Sequence, residues 1–384
     1  MPGLTSLPAA VAVPATKQSA EPRIFDPSIH LAYEPPSKTY TLEEISLPPS
    51  PISPIASTVP FPFLTPEAIE AHRREIFSPD VINNCMYNTL PGSVQLRGMA
   101  PRYAPFIHQF WTSPEVLGIV SQLAGVDLIP VFDYDICHVN VQMPPGGKDA
   151  VKDTPIKPPM ATEEAIAAFQ ARKTGQLSKR DSGINLDSTG AKTIVPWHKD
   201  SYPFVLVVML SDAQHMTDGE TELMKGDGTT MKVRSPGMGG AVLLQGRQIS
   251  HVALPAGNMP ERVTIVTSFR PRDPLLTDSS TCMNVRPVSL LPEMYYQWTT
   301  YRLKLLSERF KHEAKLLDQK YAEAVARMDS AGRPGHCSEA VVDLEQLTKW
   351  MDNQMRYMKQ TMYEMRPVTA EDSAPGNEVT EITL

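Results

Sequence analysis

Cysteine is scarce in this chain: four in 384 residues (Cys85, Cys137, Cys282 and Cys337), none of them in a C-x-x-C pair. That excludes a disulfide scaffold and a zinc ribbon, which both need paired thiols at short spacing. Basic charge is not in excess either, since 36 Lys and Arg against 43 Asp and Glu leave a formal net charge of −7. A field of that sign repels phosphate backbones and anionic lipid, so no nucleic-acid or membrane partner is expected. The longest apolar run, Phe204 to Leu210, falls far short of the about 20 residues that a membrane helix needs. No basic segment followed by an apolar one opens the sequence, so no signal peptide is read and a soluble, cytoplasmic protein is expected. The glycine clusters Gly226-Asp-Gly228 and Gly237-Met-Gly239-Gly240 lack the third glycine and following helix of a nucleotide loop. His312-Glu313 lacks the second histidine of a zinc-protease helix.

Proline, by contrast, is plentiful: 37 residues, 13 of them within the first 63. Because proline blocks helix and central strand alike, residues 1–63 read as an extended or disordered leader. Thr65-Pro66-Glu67 and Ser113-Pro114-Glu115 each combine an N-cap, a proline at the first helical position and an acid. Each therefore starts a helix. From Phe132 the pattern changes to alternation: Phe132 to Gln142, Val205–Leu210, Met231–Val233, Ala241–Leu244 and Val263–Phe269 all read as strands. An insertion at about residues 144–193 interrupts them and reads as a lid or pocket wall, with Gly146-Gly147 and Gly175 as hinges. Two helical stretches follow, Pro292 to Met328 and Glu339 to Met365, and residues 367–384 read as an acidic tail. Helices, then strands, then a helical hairpin is not the alternation of a doubly wound α/β sheet. The expected organisation is a mainly β domain over 64–290 with a C-terminal helical extension over 291–366.

The residues with chemical potential lie in the β region. In Pro196-Trp197-His198-Lys199-Asp200, strand alternation sends His198 and Asp200 to one face. One isolated histidine, His251, follows about fifty residues later. Two imidazoles and one carboxylate form the facial triad that suits Fe(II) and leaves positions open. With nine histidines in the chain, an H-x-D arises by chance about half the time, so the motif alone says little. Eleven residues after His251, however, Arg262-Val-Thr264 puts a guanidinium and a hydroxyl on one strand face. That pair is suited to clamp a terminal carboxylate.

H-x-D, about fifty residues, His, about ten residues, Arg-x-Thr: over roughly residues 129–272 the sequence resembles the Fe(II)/2-oxoglutarate-dependent dioxygenase superfamily. The run HKDSYPFVLVVMLSD…GGAVLLQGRQISH…ERVTIVTSFRP further resembles a fungal group active in secondary metabolism. The resemblance implies a double-stranded β-helix (jelly-roll), with His198, Asp200 and His251 as iron ligands. It implies that Arg262 and Thr264 bind 2-oxoglutarate, and Asn140 is assigned with them. It also implies oxidation of an aliphatic C–H of a small molecule by O2, with release of succinate and CO2. An amino acid or a metabolite derived from one is the expected substrate. Arg270 is a departure, a second arginine on the same strand face that competes for the carboxylate.

His138, Asn140 and Gln142 alternate along one strand face and are candidates to line the pocket. Tyr202 and Phe204 follow the H-x-D at a spacing that suits pocket walls, and Arg270 is a further substrate contact. The row Leu344, Leu347, Met351, Met355, Met358, Met362, Met365 recurs at steps of three and four. Packing against Met294, Trp298, Tyr301 and Leu305 is expected of it, or pairing with a second copy as a homodimer. Two other readings stay open: a jelly-roll binding protein without activity, and a zinc or nickel hydrolase on a similar barrel.

Overall fold

In the β region, apolar residues at every second position bury one strand face while the intervening residues bury the other. The computed structural model describes residues 24–369 except 91–92, 143–147, 168–194, 235–236, 255, 334 and 336. Its strands begin with β1 (Thr39–Thr41), β2 (Ile55–Thr58), β3 (Phe61–Pro62), β4 (Met86–Leu90), β5 (Ser93–Leu96) and β6 (Leu128–Pro130). They continue with β7 (His138–Gln142), β8 (Val195–His198), β9 (Phe204–Met209), β10 (Thr217–Asp218) and β11 (Thr221–Met224). The last are β12 (Thr230–Val233), β13 (Gly240–Leu244), β14 (His251–Ala253), β15 (Ala256–Gly257) and β16 (Arg262–Pro271).

The larger sheet runs β1-β2-β13-β9-β16-β7-β5-β4, and the smaller runs β12-β11-β14-β8. All of these pairs are antiparallel. Following the chain from β7 through β8, β9 and β11 alternates between the two sheets. It doubles back within the smaller sheet at the β11–β12 hairpin, then alternates again through β13, β14 and β16. This is double-stranded β-helix connectivity, the jelly-roll expected from the resemblance.

The two faces of the larger sheet have different partners. Val139, Val141, Leu206, Val208, Leu243, Val263 and Ile265 pack with Ile69, Phe106, Phe110, Trp111 and Val116 of three covering helices. Those helices span Pro66–Ile76, Pro105–Thr112 and Pro114–Ala124. The first and third start where the sequence places them, with Thr65 accepting from the Ala68 N–H and Ser113 from the Val116 N–H. The opposite parity, Val205, Val207, Val242, Leu244 and Val266, meets Leu223, Met231 and Val233 of the smaller sheet inside the barrel. Any polar residue of that parity on β7 or β16 therefore points into the barrel.

Two expectations need correction, and a third is met only in part by the described residues. Part of the proline-rich leader is integral to the sheet: β2 and β3 both pair with β13, and Gln245 Nε2 donates to the carbonyls of Ser53 and Ile55. Pro54, Pro60 and Pro62 sit at strand ends, where a missing ladder N–H costs little. Of the insertion, the described residues 148–167 pack on the domain. Arg73 donates to the carbonyls of Pro155 and Ile156, and the Ala161 N–H donates to Asp212. The hinge glycines Gly146, Gly147 and Gly175 lie outside the described residues, as do residues 1–23 and 370–384.

The second correction concerns the last helices, Leu291–Ser330 and Leu344–Glu364. Met294, Trp298, Tyr301 and Leu305 are buried as expected, but of the row Leu344 to Met365 it is the last member, Met365, that packs against the Met294, Trp298 and Tyr301 cluster. The last helix turns Gln354, Tyr357, Thr361 and Glu364 inward and leaves Met351, Met355, Met358 and Met362 exposed. Hydrogen bonding explains the choice, because Arg302 and Asp278 at this seam are buried and need the Thr361 and Tyr357 hydroxyls. Among the described residues, no helix is long and apolar enough to cross a membrane.

Candidate metal centre

His198 closes β8 and His251 opens β14, and the two are direct partners across that strand pair. Asp200 lies two residues beyond the end of β8 rather than on it. Its side chain is placed by the turn after β13, where the Asp200 N–H donates to the Gly246 carbonyl at 3.0 Å. Gly246 is required there, since a Cβ on it would overlap the Asp200 carboxylate. His198 Nε2 is 3.5 Å from Asp200 Oδ1, and His251 Nε2 is 3.7 Å from Asp200 Oδ2. One ligand atom from each of the three residues lies within 4.8 Å of the others. Ligands about 2.1 Å from one ion stand about 3 Å apart when adjacent, so small side-chain rotations close this set on a metal.

The protonation states suit that role. His251 Nδ1 is 3.1 Å from the Ile249 carbonyl, which can only accept, so Nδ1 carries the proton and Nε2 presents its lone pair. Burial pushes the His251 imidazole down to about 4, which keeps the ring neutral at physiological pH. Burial would raise the Asp200 carboxyl, but the adjacent His251 and His198 hold it below the ordinary carboxylate range. Asp200 Oδ2 is buried without a hydrogen-bond partner. Two imidazole nitrogens and a carboxylate with a buried open oxygen fit a divalent iron.

Facing this cluster from the larger sheet are the polar residues of inward parity. β7 and β16 pair so that Gln142 lies opposite Arg262, Asn140 opposite Thr264, and His138 opposite Val266. Arg262 is 9% exposed, and its Nε has no partner. Burial alone pushes its guanidinium down to about 10, with no carboxylate among the described residues beside it to offset the cost. Gln142 Oε1 and His138 Nε2 are likewise buried without partners. The barrel interior thus holds an uncompensated cation and several open hydrogen-bonding atoms.

The structure separates the other candidates. Tyr202 is buried against Phe132, with its hydroxyl beside the Asp135 carboxylate. Phe204, expected beside it, packs instead in the core under the covering helices. The bend at residues 199–203 breaks the alternation that starts at His198, so parity counted from the H-x-D fails by the time β9 begins. Arg270 sits near the far end of β16 from Arg262. Its Nε donates to the Val131 carbonyl, and its guanidinium stacks 4.8 Å from the Tyr301 ring centre.

Sequence reasoning missed Gln95, Arg97 and Asp135. Gln95 Nε2 donates to Asn140 Oδ1 at 3.4 Å, Arg97 contacts His138, and Arg97 forms a buried ion pair with Asp135. A signal was present: in Val94-Gln95-Leu96-Arg97 the apolar residues join the core while the polar ones take the opposite parity.

No protein-family model and no curated protein matches this chain. Among solved structures, it is similar to a 2OG-Fe(II) oxygenase family oxidoreductase from Burkholderia pseudomallei. That match has 12% identity over 50% of this chain and 74% of that one, with a TM-score of 0.28. It is also similar to a prolyl hydroxylase from Trichoplax adhaerens in complex with a hypoxia inducible factor peptide fragment, at 12% identity over 53% of this chain and 78% of that one, with a TM-score of 0.30. A third similar structure is a full-length Neurospora crassa protein in complex with alpha-KG, at 12% identity over 54% of this chain and 70% of that one, with a TM-score of 0.29.

Proposed function

We propose that this chain is an Fe(II)/2-oxoglutarate-dependent oxygenase that oxidises an aliphatic C–H of a small molecule with O2, releasing succinate and CO2. One observation carries the reading: the His198–Asp200–His251 cluster shares a barrel interior with Arg262, a buried guanidinium that no acid among the described residues neutralises. An unpaired buried cation is costly, and a dicarboxylate cosubstrate removes that cost on binding.

In this reading His198 and His251 supply imidazole nitrogens and Asp200 a carboxylate oxygen to Fe(II). The Ile249 carbonyl holds His251 in the ligating tautomer, and Gly246 leaves room for the Asp200 carboxylate. Iron supplies the activation of O2 by which 2-oxoglutarate is decarboxylated and the substrate oxidised. Arg262 offers a two-pronged donor to the distal carboxylate, with Thr264 and Asn140 beside it. Arg262 is preferred over Arg270 because Arg270 is already engaged by the Val131 carbonyl and the Tyr301 ring. His138, Gln142 and Tyr202 remain to hold and enclose the substrate, which we infer to be an amino acid or an amino-acid-derived metabolite. The fungal resemblance assigns the reaction to secondary metabolism. The exposed methionine row of the last helix is the surface on which two copies would pair.

The test is anaerobic titration of the full chain with Fe(II) and 2-oxoglutarate. A weak visible charge-transfer band that needs both additions is expected, and it should vanish in Asp200→Ala. Its absence in the folded wild-type chain would sink this reading and favour a barrel that binds without turnover.

A further inference from the structure

Arg97 leaves β5 on the same face as Gln95 and is 2% exposed, while Asp135, in the short turn ahead of β7, is 1% exposed. Their side chains form an ion pair. The charge of Arg97 is therefore balanced within the protein, in contrast to that of Arg262. Arg97 Nη1 also lies 3.1 Å from His138 Nδ1. A guanidinium has donors only, so Nδ1 must accept, and the proton of the neutral ring sits on Nε2. Burial and the adjacent Arg97 hold the ring well below the usual imidazole range, in keeping with this neutral form.

The resulting Nε2–H is shut off from solvent and has no partner among the described residues. An unmet buried donor costs about 1–3 kcal/mol, and in a folded protein it calls for an explanation. Its direction supplies one. His138 has the inward parity of β7, and Asp200 is near enough to act on it electrostatically. It stands four residues along β7 from Gln142, the partner of Arg262, which is about 13 Å at strand pitch. A carboxylate anchored at Arg262 and an acceptor at His138 are thus held at separate ends of one polar row.

We propose that His138 Nε2–H is a substrate-binding donor for an uncharged carbonyl-type oxygen, and that Arg97, held by Asp135, is the positioning residue that fixes this tautomer. The identity of the acceptor as substrate rests on the oxygenase reading; the tautomer does not. A free carboxylate is disfavoured at this end, because Arg97 is already neutralised and a second buried anion would stand unpaired. An amide or ketone oxygen needs one donor and brings no charge. The small-molecule substrate is therefore one that presents a carbonyl, such as an amino-acid amide, beside its reacting carbon.

The tautomer is read by two-bond 1H–15N correlation on the full chain labelled with 15N-histidine, with the His138 signals assigned by their loss in His138→Gln. The wild type is expected to show the Nε2–H pattern. Arg97→Met should convert it to a mixture or to Nδ1–H, and Arg97→Lys should retain it. Since Arg97→Met alone strands Asp135, the balanced pair Arg97→Met with Asp135→Asn is measured beside it. A residue with a purely structural role would lower stability without changing the tautomer. A wild-type Nδ1–H pattern, or a pattern unmoved in the balanced pair, overturns the positioning role.

The ligand class is read on the same labelled chain with Zn(II) and 2-oxoglutarate, adding each common amino acid as its free acid and as its carboxamide. A shift of the His138 Nε2–H signal by carboxamides and not by acids is expected. A shift by acids only, or by neither, overturns the carbonyl assignment. Failure of Zn(II) to move the His198 and His251 signals, or of 2-oxoglutarate to bind, strikes the oxygenase reading instead and leaves the tautomer result intact.

Discussion

Two polar clusters flank the chain segment that carries Asp200, and they differ in how their buried charges are balanced. At the seam with the C-terminal helices, Asp278 accepts from the Tyr301 hydroxyl at 3.0 Å, the Tyr357 hydroxyl at 2.7 Å and Arg302 Nη1 at 3.3 Å. Arg302 Nε donates to Thr361, and its guanidinium lies over the Trp298 and Tyr357 rings. Arg286 meets Glu364, whose carboxylate also accepts from the Cys282 N–H. Inside the barrel, Arg262 Nε, His138 Nε2, Gln142 Oε1 and Asp200 Oδ2 all lack partners. At the seam Arg302 Nη2 and Ser280 Oγ also lack partners among the described residues, but Arg302 and Arg286 each face a carboxylate. Neither burial nor an open hydrogen-bonding atom sets the barrel apart; what does is Arg262, a buried cation with no acid beside it among the described residues, which a ligand of opposite charge would complete.

The seam also braces the barrel. Asn284 Nδ2 donates to the Lys199 carbonyl at 2.5 Å, and the Thr281 N–H donates to the Ser201 carbonyl at 2.7 Å. The residues on both sides of Asp200 are thereby tied to a segment that the last helices hold in place.

The comparison can be broken most forcefully at the metal cluster. His251→Ala or Asp200→Ala should reduce Mn(II) affinity by about a hundredfold or more in calorimetric titration, with little change in unfolding free energy. Gly246→Ala should approach that loss, because its methyl group displaces the Asp200 carboxylate. At the seam the effect should be on stability instead. Arg302→Met leaves Asp278 buried with its counter-charge removed, and a loss of about 3–5 kcal/mol in denaturant unfolding is expected. Unchanged stability would mean that the Arg302–Asp278 pair does not balance the buried charge of the seam.

His72 extends the comparison to a third buried site, among Phe106, Phe110 and Trp111. Burial pushes its imidazole from 6.5 down to about 4. The unfolded chain therefore binds a proton below pH 6.5 that the folded chain refuses until about 4. Stability contributed by the neutral ring is fully present above pH 6.5 and drains away as pH falls toward 4, by about 3 kcal/mol in all. Replacement His72→Phe should flatten the unfolding free energy over that window relative to wild type, and an unchanged slope would argue against a depressed His72.

The smallest effect sharpens the comparison most. Because Arg262 is buried without a counter-charge, Arg262→Met should leave the ligand-free protein as stable as wild type or more so, within about 2 kcal/mol. The order should reverse once metal and 2-oxoglutarate are added, since only the wild type gains stability from binding. A large loss of stability in the ligand-free variant would show that Arg262 has a partner in the fold.

Much of the candidate site was legible because alternation is a local rule. Within one strand, Arg262 and Thr264 share a face whatever surrounds them, as do His138, Asn140 and Gln142, and β16 and β7 keep those faces. The rule failed where the chain left the strand, at the bend that sends Phe204 to the helix side. It was silent on Gln95, Arg97 and Asp135, because the contacts of Gln95 with Asn140 and of Arg97 with His138 and Asp135 join segments about forty residues apart. The leader was misread for a related reason, since its prolines exclude central strand positions but not strand ends.

What the sequence by itself determined were features that depend on neighbours in the chain: the capped helix starts at Thr65 and Ser113, strand parity, and the spacing of H-x-D, His and Arg-x-Thr. Only the tertiary structure decided which of two arginines stands alone, with Arg270 turned toward Tyr301 and Arg262 left without a carboxylate. It also decided which face of the last helix is buried, reversing the hydrophobic stripe in favour of Tyr357, Thr361 and Glu364. The physical reason is common to both. Satisfying a buried charge is a property of everything packed around it, and the partners of Arg302, Arg262 and His138 come from segments that only folding brings together.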